Sequence, residues 1–293
     1  MDFKQHLTER GGTLLGDGAW GTFLYDLGLK PGDCPDAWCL SRPEDVRAVA
    51  SAYIQAGSDC VETNSFGASS IKLQDYGLGH KAREINLRAA ELSRSAAGPD
   101  RYVLASIGPT GKLLMMGDVS EEEMHDSFAE QALALTEGGA DALCIETMSD
   151  LREAEIALQA ARSVSSLPLI CTFTYEKTAK NEFRSMMGIL PEEAVRMSLN
   201  SGAAVVGSNC GNGISDMLAL AEYLRSLFPD AHLMFQANAG LPKHQNGKQV
   251  YTEDAAFMAS FIPALRALKT SIIGGCCGTG PEHIRAFRQA LDQ

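Results

Sequence analysis

The sequence predicts one closed (β/α)8 TIM barrel over residues 1–293. Three observations predict it. Short apolar runs alternate with amphipathic stretches along the whole chain. Each run opens with β-rich apolar residues and closes on small or polar ones, the pattern of a parallel strand buried on both faces whose C-terminal end meets solvent. No Ser/Pro/Gly-rich linker, low-complexity tract or long charge run divides the chain. A length of 293 residues suits a barrel of roughly 250 residues with modest loops. The structural competitor, a doubly wound open sheet, would need fewer strands or a second domain.

In order, the strand-like runs are Thr13–Trp20, Cys60–Phe66, Tyr102–Gly108, Ala142–Met148, Pro168–Tyr175, Ala204–Cys210, His232–Asn238 and Ser271–Cys277. The amphipathic stretches between them are Pro43–Ala56, Ala82–Ala97, Ser120–Gly138, Leu151–Val164, Pro191–Ser201, Ile214–Phe228, Thr252–Leu268 and Pro281–Leu291. Pro43, Pro191 and Pro281 stand where a first helical turn begins, a place that needs no backbone N–H.

Composition narrows the function classes. At 45% hydrophobic and 21% charged, the chain can bury a full core. A net charge of −12 argues against nucleic acid or an anionic membrane as the main partner, since both need a basic surface. The N-terminal MDFKQHLTERGG has no signal-peptide core and no apolar run is long enough to span a membrane, so a cytoplasmic location is expected. Eight cysteines are too sparse for a disulfide scaffold and point to metal binding or chemistry in a reducing compartment.

In such barrels chemistry sits at the C-terminal strand ends. Those ends carry Asp17, then Glu62, Thr63 and Asn64, then Glu146, Cys210, Asn238, and the adjacent Cys276 and Cys277. Cys60, Cys144 and Cys171 fall inside strand patterns and read as small hydrophobes, while Cys34 and Cys39 read as loop or packing residues. The sharpest signal is GGCCGTGPEH, Gly274–His283. Adjacent cysteines can form a strained vicinal disulfide or be incidental. With Cys210 ending another strand at the same mouth, the favoured reading is three thiolates on one metal. Zinc suits that donor set, and three protein ligands leave the fourth position to substrate. Three thiolates on Zn²⁺ already donate electron density, so the site is a poor Lewis acid for hydrolysis. A fourth sulfur would be deprotonated against a free thiol pKa of about 8.5 yet stay electron-rich, which points to thiol alkylation.

GGCCGTGPEHIRAF, the upstream GSNC, GDGAWGT and VETNSFGAS together resemble the homocysteine S-methyltransferase family, from about Gly12 to Leu291. The resemblance includes the homocysteine-binding module of cobalamin-dependent methionine synthase and the S-methylmethionine- and betaine-dependent enzymes. It implies a zinc-dependent barrel that activates homocysteine as a zinc-bound thiolate and methylates it to methionine. It implies Cys210, Cys276 and Cys277 as zinc ligands and catalytic thiolates. It also implies Glu146 as the partner of the substrate ammonium, and Asp17, Gly18 and Thr63 as lining of the amino-acid pocket. A carboxylate at a strand end in an apolar-walled mouth is a natural ammonium partner; the competing readings are a salt bridge or helix cap for Glu146 and a turn residue for Asp17. Asn238 either orients the pocket or satisfies a turn.

Two motifs compete with this reading. Gly16–Gly21, GDGAWG, is formally G-x-G-x-x-G, but the next strand comes too late for a dinucleotide-binding βαβ unit. The glycines Gly278–Gly280 before a helix could cradle phosphate, although the cysteines beside them favour a metal-loop or carboxylate role. For the methyl donor, betaine-using relatives carry an aromatic residue near the position of Gly67, and glycine there leaves the mouth open as in methionine synthase. The loop containing Met186 and Met187 departs from that pattern. No corrinoid-binding motif follows the barrel. The expected donor is therefore methylcobalamin or another methylcorrinoid on a separate protein, with a small onium donor such as S-methylmethionine, or another acceptor thiol, as alternatives. Readings of another class are a zinc or redox-sensing barrel using Cys276–Cys277 as a switch, and a phosphate-binding barrel enzyme with incidental cysteines.

Overall fold

The computed structural model describes residues 3–10, 12–245 and 248–293; Met1, Asp2, Gly11, Asn246 and Gly247 lie outside the described residues. Eight parallel strands form the barrel wall: β1 Leu14–Leu15, β2 Cys60–Glu62, β3 Tyr102–Ile107, β4 Ala142–Met148, β5 Leu169–Phe173, β6 Val205–Asn209, β7 Leu233–Ala237 and β8 Ile272–Gly275. Neighbours follow chain order from β2 to β8, and β8 pairs with β1, Leu14 opposite Ile272 and Leu15 opposite Ile273. The eight-stranded sheet is thus nearly closed, with its seam between β1 and β2.

Asp59 spans that seam. Its backbone N–H donates to the Leu15 carbonyl at 2.7 Å, and its carboxylate accepts the Leu15 N–H at 2.9 Å. The same carboxylate pairs with Arg288 of the last helix, and the Asp59 carbonyl accepts the Tyr102 N–H of β3 at 2.9 Å. A side chain therefore supplies hydrogen bonds that two very short strands cannot.

Period-two alternation decides what the barrel encloses. Leu14, Cys60, Leu104, Cys144, Ile170, Val205, Met234 and Ile272 form one buried interior cluster, with Phe3 and Leu7 packed against its lower end. Two residues further along β2, β3, β4, β5 and β7, and four along β6, the inward positions turn polar: Glu62, Ser106, Glu146, Thr172, Gln236 and Asn209. All six are at most 7% exposed. The outward residues of the same strands, such as Leu143, Ile145 and Cys171, pack against the surrounding helices. The reading of Cys60, Cys144 and Cys171 as small hydrophobes agrees with these positions.

Helices form where the amphipathic stretches lie, and Pro43, Pro191 and Pro281 each begin one. Ser120 caps Glu121–Glu137 in a capping box with Glu123. The differences are local. The run Thr13–Trp20 is strand only at Leu14–Leu15, and Trp20 already opens a helix, Trp20–Asp26. Thr252–Leu268 is two short helices, Ala255–Ala259 and Ile262–Ala267, because Pro263 cannot donate to the preceding turn. The loop after β5 folds into a hairpin, Glu176–Lys177 against Phe183–Arg184. No helix among the described residues is long and apolar enough to cross a membrane.

Candidate functional site

The structure brings Cys210, Cys276 and Cys277 together at the barrel mouth: their sulfurs all lie within 4.8 Å of one another, and Cys210 Sγ and Cys277 Sγ are 3.9 Å apart. They come from β6 and β8, which are not neighbours. The end of β7 splints them. The Cys210 N–H donates to the Gln236 carbonyl at 3.0 Å, the Cys276 N–H donates to that of Ala237 at 2.8 Å, and the Ala239 N–H donates to Cys277 at 2.9 Å. Cys210 itself sits at φ +61°, left-handed backbone that a non-glycine residue rarely adopts and that marks functional turns.

The loop carrying the paired cysteines is shaped by close approach. At Gly278, φ is +82° and an added Cβ would lie 2.2 Å from the Tyr251 ring. Only glycine lets that ring pack on the turn, where the tyrosine hydroxyl donates to Cys277. Gly18 is similarly confined: a Cβ there would meet the Thr279 carbonyl at 2.8 Å and Tyr53 at 2.9 Å. The first strand's loop and the cysteine loop are therefore fitted against each other.

The three sulfurs fit a tetrahedral metal. Zinc–sulfur bonds of about 2.3 Å place ligand sulfurs about 3.8 Å apart, close to the separation seen for Cys210 and Cys277. Hydrogen bonds from Cys276 and Cys277 draw the Cys210 thiol down to about 3. The same bonds hold the donors as thiols, Cys276 well above its usual range and Cys277 at about 11. The three sulfurs are thus tied by mutual hydrogen bonds, and a bound cation would favour loss of their protons. Asn238 also donates to Cys210, and its buried Oδ1 has no hydrogen-bond partner.

The same cavity, about 420 Å³, is lined by these cysteines together with Gly18, Glu62, Thr63 and Glu146. Glu146 lies at a bulge where the β4–β5 register shifts, and the next residue, Thr147, has φ +59°. Its carboxylate accepts from Ser106 Oγ and, at 3.1 Å, from Asn209 Nδ2. Burial pushes the Glu146 carboxyl up to about 7, against the Ser106 hydrogen bond. Asp17 also rises to about 7 through burial; its Oδ2 accepts from Trp20 Nε1 and the Glu62 N–H, both at 2.8 Å, while Oδ1 is buried without a partner. Glu62 is pushed well above the carboxylate range by burial and by the charges of Glu146 and Asp17, and accepts from Gln236 Nε2 at 2.8 Å. Glu62 and Glu146 line the cavity, and Asp17 lies behind them, bonded to Trp20 and the Glu62 N–H; burial favours their neutral forms, and a cation bound beside them would draw them toward the charged form.

Other expected residues have local tasks. The Thr63 hydroxyl accepts the Ser106 N–H at 2.9 Å and bonds Ser65 at 2.6 Å, so only the remainder of Thr63 is free to face a ligand. Asn64 holds the Pro35 carbonyl at 2.9 Å, and Cys39 Sγ donates to the Asn64 carbonyl at 3.2 Å. That agrees with a packing role for Cys39. Sequence reasoning missed Ser106, Asn209 and Gln236, the polar inward neighbours of the carboxyls. Their signal was a polar residue two or four places beyond an inward apolar one.

Comparison with known proteins follows the same line. A family profile described as homocysteine S-methyltransferase matches residues 14–291. Methionine synthases of Mycobacterium leprae and Mycobacterium tuberculosis are 33% and 32% identical over 99% of this chain. The chain spans about a quarter of the length of those two relatives, 25% in each. The metallated form of the homocysteine methyltransferase MmuM of Escherichia coli superposes with a TM-score of 0.79, at 23% identity, over 97% of this chain and 98% of that one. That likeness shows the shared barrel fold.

Proposed function

The chain belongs to the homocysteine S-methyltransferase family, and from that membership we propose that residues 1–293 form a single domain that methylates the sulfur of homocysteine to give methionine. The observation that carries this reading is the meeting, in one cavity, of three convergent cysteine sulfurs with Glu146 and its buried carboxyl neighbours. Cys210, Cys276 and Cys277 would hold Zn²⁺, which when bound supplies the positive charge that keeps an acceptor thiol deprotonated at neutral pH. Glu146 takes the acceptor's ammonium, and Asp17, bonded to Trp20 and the Glu62 N–H, supports the pocket from behind its lining. Gly18 and Thr63 line the amino-acid end; Asn238 steadies Cys210. The polar interior layer positions these groups, and the apolar layer beneath keeps water from entering the barrel from below.

The preferred donor is a methylcorrinoid carried by a separate protein. At Gly67 the backbone N–H donates to Asp36 at 3.0 Å, and a Cβ would press on the Asp36 carboxylate at 2.9 Å. Glycine at that position sets no side chain across the mouth. A small onium donor is the second reading, favoured by one observation: the rings of Trp20, Phe66 and Tyr76 line the outer cavity, a lining that suits a methylated cation, while Lys72 there offsets the charge of Asp36. Three free thiols at the mouth suit the reducing cytoplasm.

The test is a donor panel with homocysteine: free methylcobalamin, a methylcorrinoid protein, S-methylmethionine and betaine, read out as methionine. Methionine from at least one donor, dependent on zinc, is the expected result. No methyl transfer with any donor, together with reversible oxidation of Cys276–Cys277, would instead favour the redox-sensing barrel.

A further inference from the structure

Asn209, one residue before Cys210, is 1% exposed and belongs to the polar layer inside the barrel. The orientation of its amide is fixed by its surroundings. Oδ1 accepts the Thr147 backbone N–H at 2.8 Å, and a backbone N–H can only donate. Oδ1 also accepts from Thr172 Oγ1 at 2.8 Å. The amide nitrogen must then face the other way. There it meets Glu146 Oε2 at 3.1 Å, Thr147 Oγ1 at 2.7 Å and Cys276 Sγ at 4.0 Å.

One carboxamide thus touches the carboxylate assigned to the acceptor's ammonium, the left-handed residue that follows that carboxylate, and a sulfur of the cysteine cluster. We propose that Asn209 is a positioning residue that ties the amino-acid pocket to the cysteine cluster: its N–H groups hold Glu146 toward the acceptor and lean on the Cys276 sulfur. This rests on the roles given above to Glu146 and the cysteines.

The arrangement has two consequences. An amide donor on one carboxylate oxygen, with Ser106 on the other, leaves Glu146 a single direction in which to meet a cation. A hydrogen bond to a ligand thiolate withdraws electron density from it, so the acceptor's own sulfur remains the more electron-rich nucleophile. A purely structural alternative is available: Asn209 could serve only to hold the Thr147 turn.

The experiment separates these. Asn209→Ala and Asn209→Asp are made in the full chain, with Thr147→Gly alone and combined with Asn209→Ala; glycine accepts the left-handed turn without strain. Asn209→Asp keeps both acceptor contacts but exchanges the donor nitrogen for a carboxyl oxygen beside Glu146, adding like charge to the loss of the donors; because the turn's acceptor is kept, it still reads the site if Asn209→Ala does not fold. KM and kcat are measured for homocysteine and for 2-mercaptoethanol, and the sulfur-to-metal charge-transfer band is recorded on cobalt(II)-loaded protein. The expected result is a homocysteine KM raised roughly 10- to 100-fold, a 2-mercaptoethanol KM within a factor of about two, and a charge-transfer band moved to lower energy. Restoration of the homocysteine KM by the added Thr147→Gly would overturn the proposal, as would equal losses for both thiols. An unmoved cobalt band would overturn the link to Cys276. Wild-type protein without methyl transfer or without a sulfur–cobalt band would fail the underlying reading, whereas variants matching an active wild type would fail this inference alone.

Discussion

Replacing Glu146 with glutamine should weaken substrate recognition while making the protein more stable above neutral pH. Glu146 accepts from Ser106 on one oxygen and from Asn209 on the other. A hydroxyl can donate or accept, so a glutamine can give its N–H to Ser106 and keep its oxygen for Asn209. The packing survives and only the charge is lost. A charge-assisted contact to a partly desolvated ammonium is worth roughly 1.5–3 kcal/mol, or about 10- to 100-fold in homocysteine affinity. Stability moves the other way. Burial lifts the Glu146 carboxyl from 4.5 to about 7, so the folded state holds its proton more tightly than the unfolded chain. Wild-type stability therefore declines as pH rises from about 4.5 to 7, by up to about 3 kcal/mol. Glutamine carries no such penalty. Urea unfolding of both proteins at pH 5 and pH 8, with metal content matched, should show Glu146→Gln gaining at pH 8 and near parity at pH 5. Affinity is measured in parallel for homocysteine and a simple alkanethiol. A stability difference that ignores pH, or equal affinity losses for the two thiols, would refute the assignment of a buried, ammonium-binding carboxylate.

Purified reduced protein should carry about one zinc per chain by elemental analysis. Alanine at Cys210, Cys276 or Cys277 should remove most of it and Cys60→Ala should not; full retention in Cys277→Ala would take that residue out of the set. Chelation should leave circular dichroism unchanged, because the buried clusters of the barrel contain none of the three. Homocysteine should add a sulfur to the metal's first shell by X-ray absorption and release about one proton near neutral pH; an unchanged shell at saturation counts against thiol activation. Asp59→Ala strips the Leu15 N–H and Arg288 of their shared partner and should cost about 2–4 kcal/mol in urea unfolding, a loss under 1 kcal/mol meaning that strand pairing alone closes the seam. Gly278→Ala should displace Tyr251 and lower zinc affinity in a chelator competition, and unchanged affinity would show that the ring is incidental.

Much of the fold was legible because burial on both faces writes itself into sequence as apolar runs, and prolines mark helix starts. The strand ends also gave up the cysteines, since Gly274–Gly280 cannot be explained by packing alone. The β1 boundary was not legible: Leu14–Leu15 reads on smoothly through Gly16 and Ala19, and only the close approach of Thr279 to Gly18 shows why the strand stops. Pro263 was visible, yet a proline near a helix start and one that splits a helix look alike without the turn around Ser260. The hairpin at Glu176–Arg184 rests on pairing across a loop that has no apolar alternation. Asn209 and Ser106 escaped notice because a lone polar residue in a strand acquires meaning only when closure places it beside Glu146.

The splinting of Cys210 to Cys276–Cys277 by the end of β7 has a consequence for how the molecule is made. The first sulfur belongs to β6 and the other two follow β8, which itself pairs with β1. A nascent chain that has laid down six strands owns one of the three sulfurs; the set exists only after β8 has docked beside β7, the strand that holds both cysteine segments. Long-range parallel pairing of that kind is among the slow steps of folding. A metal held by all three sulfurs would therefore wait on that last strand, and a half-assembled barrel would lack the complete donor set.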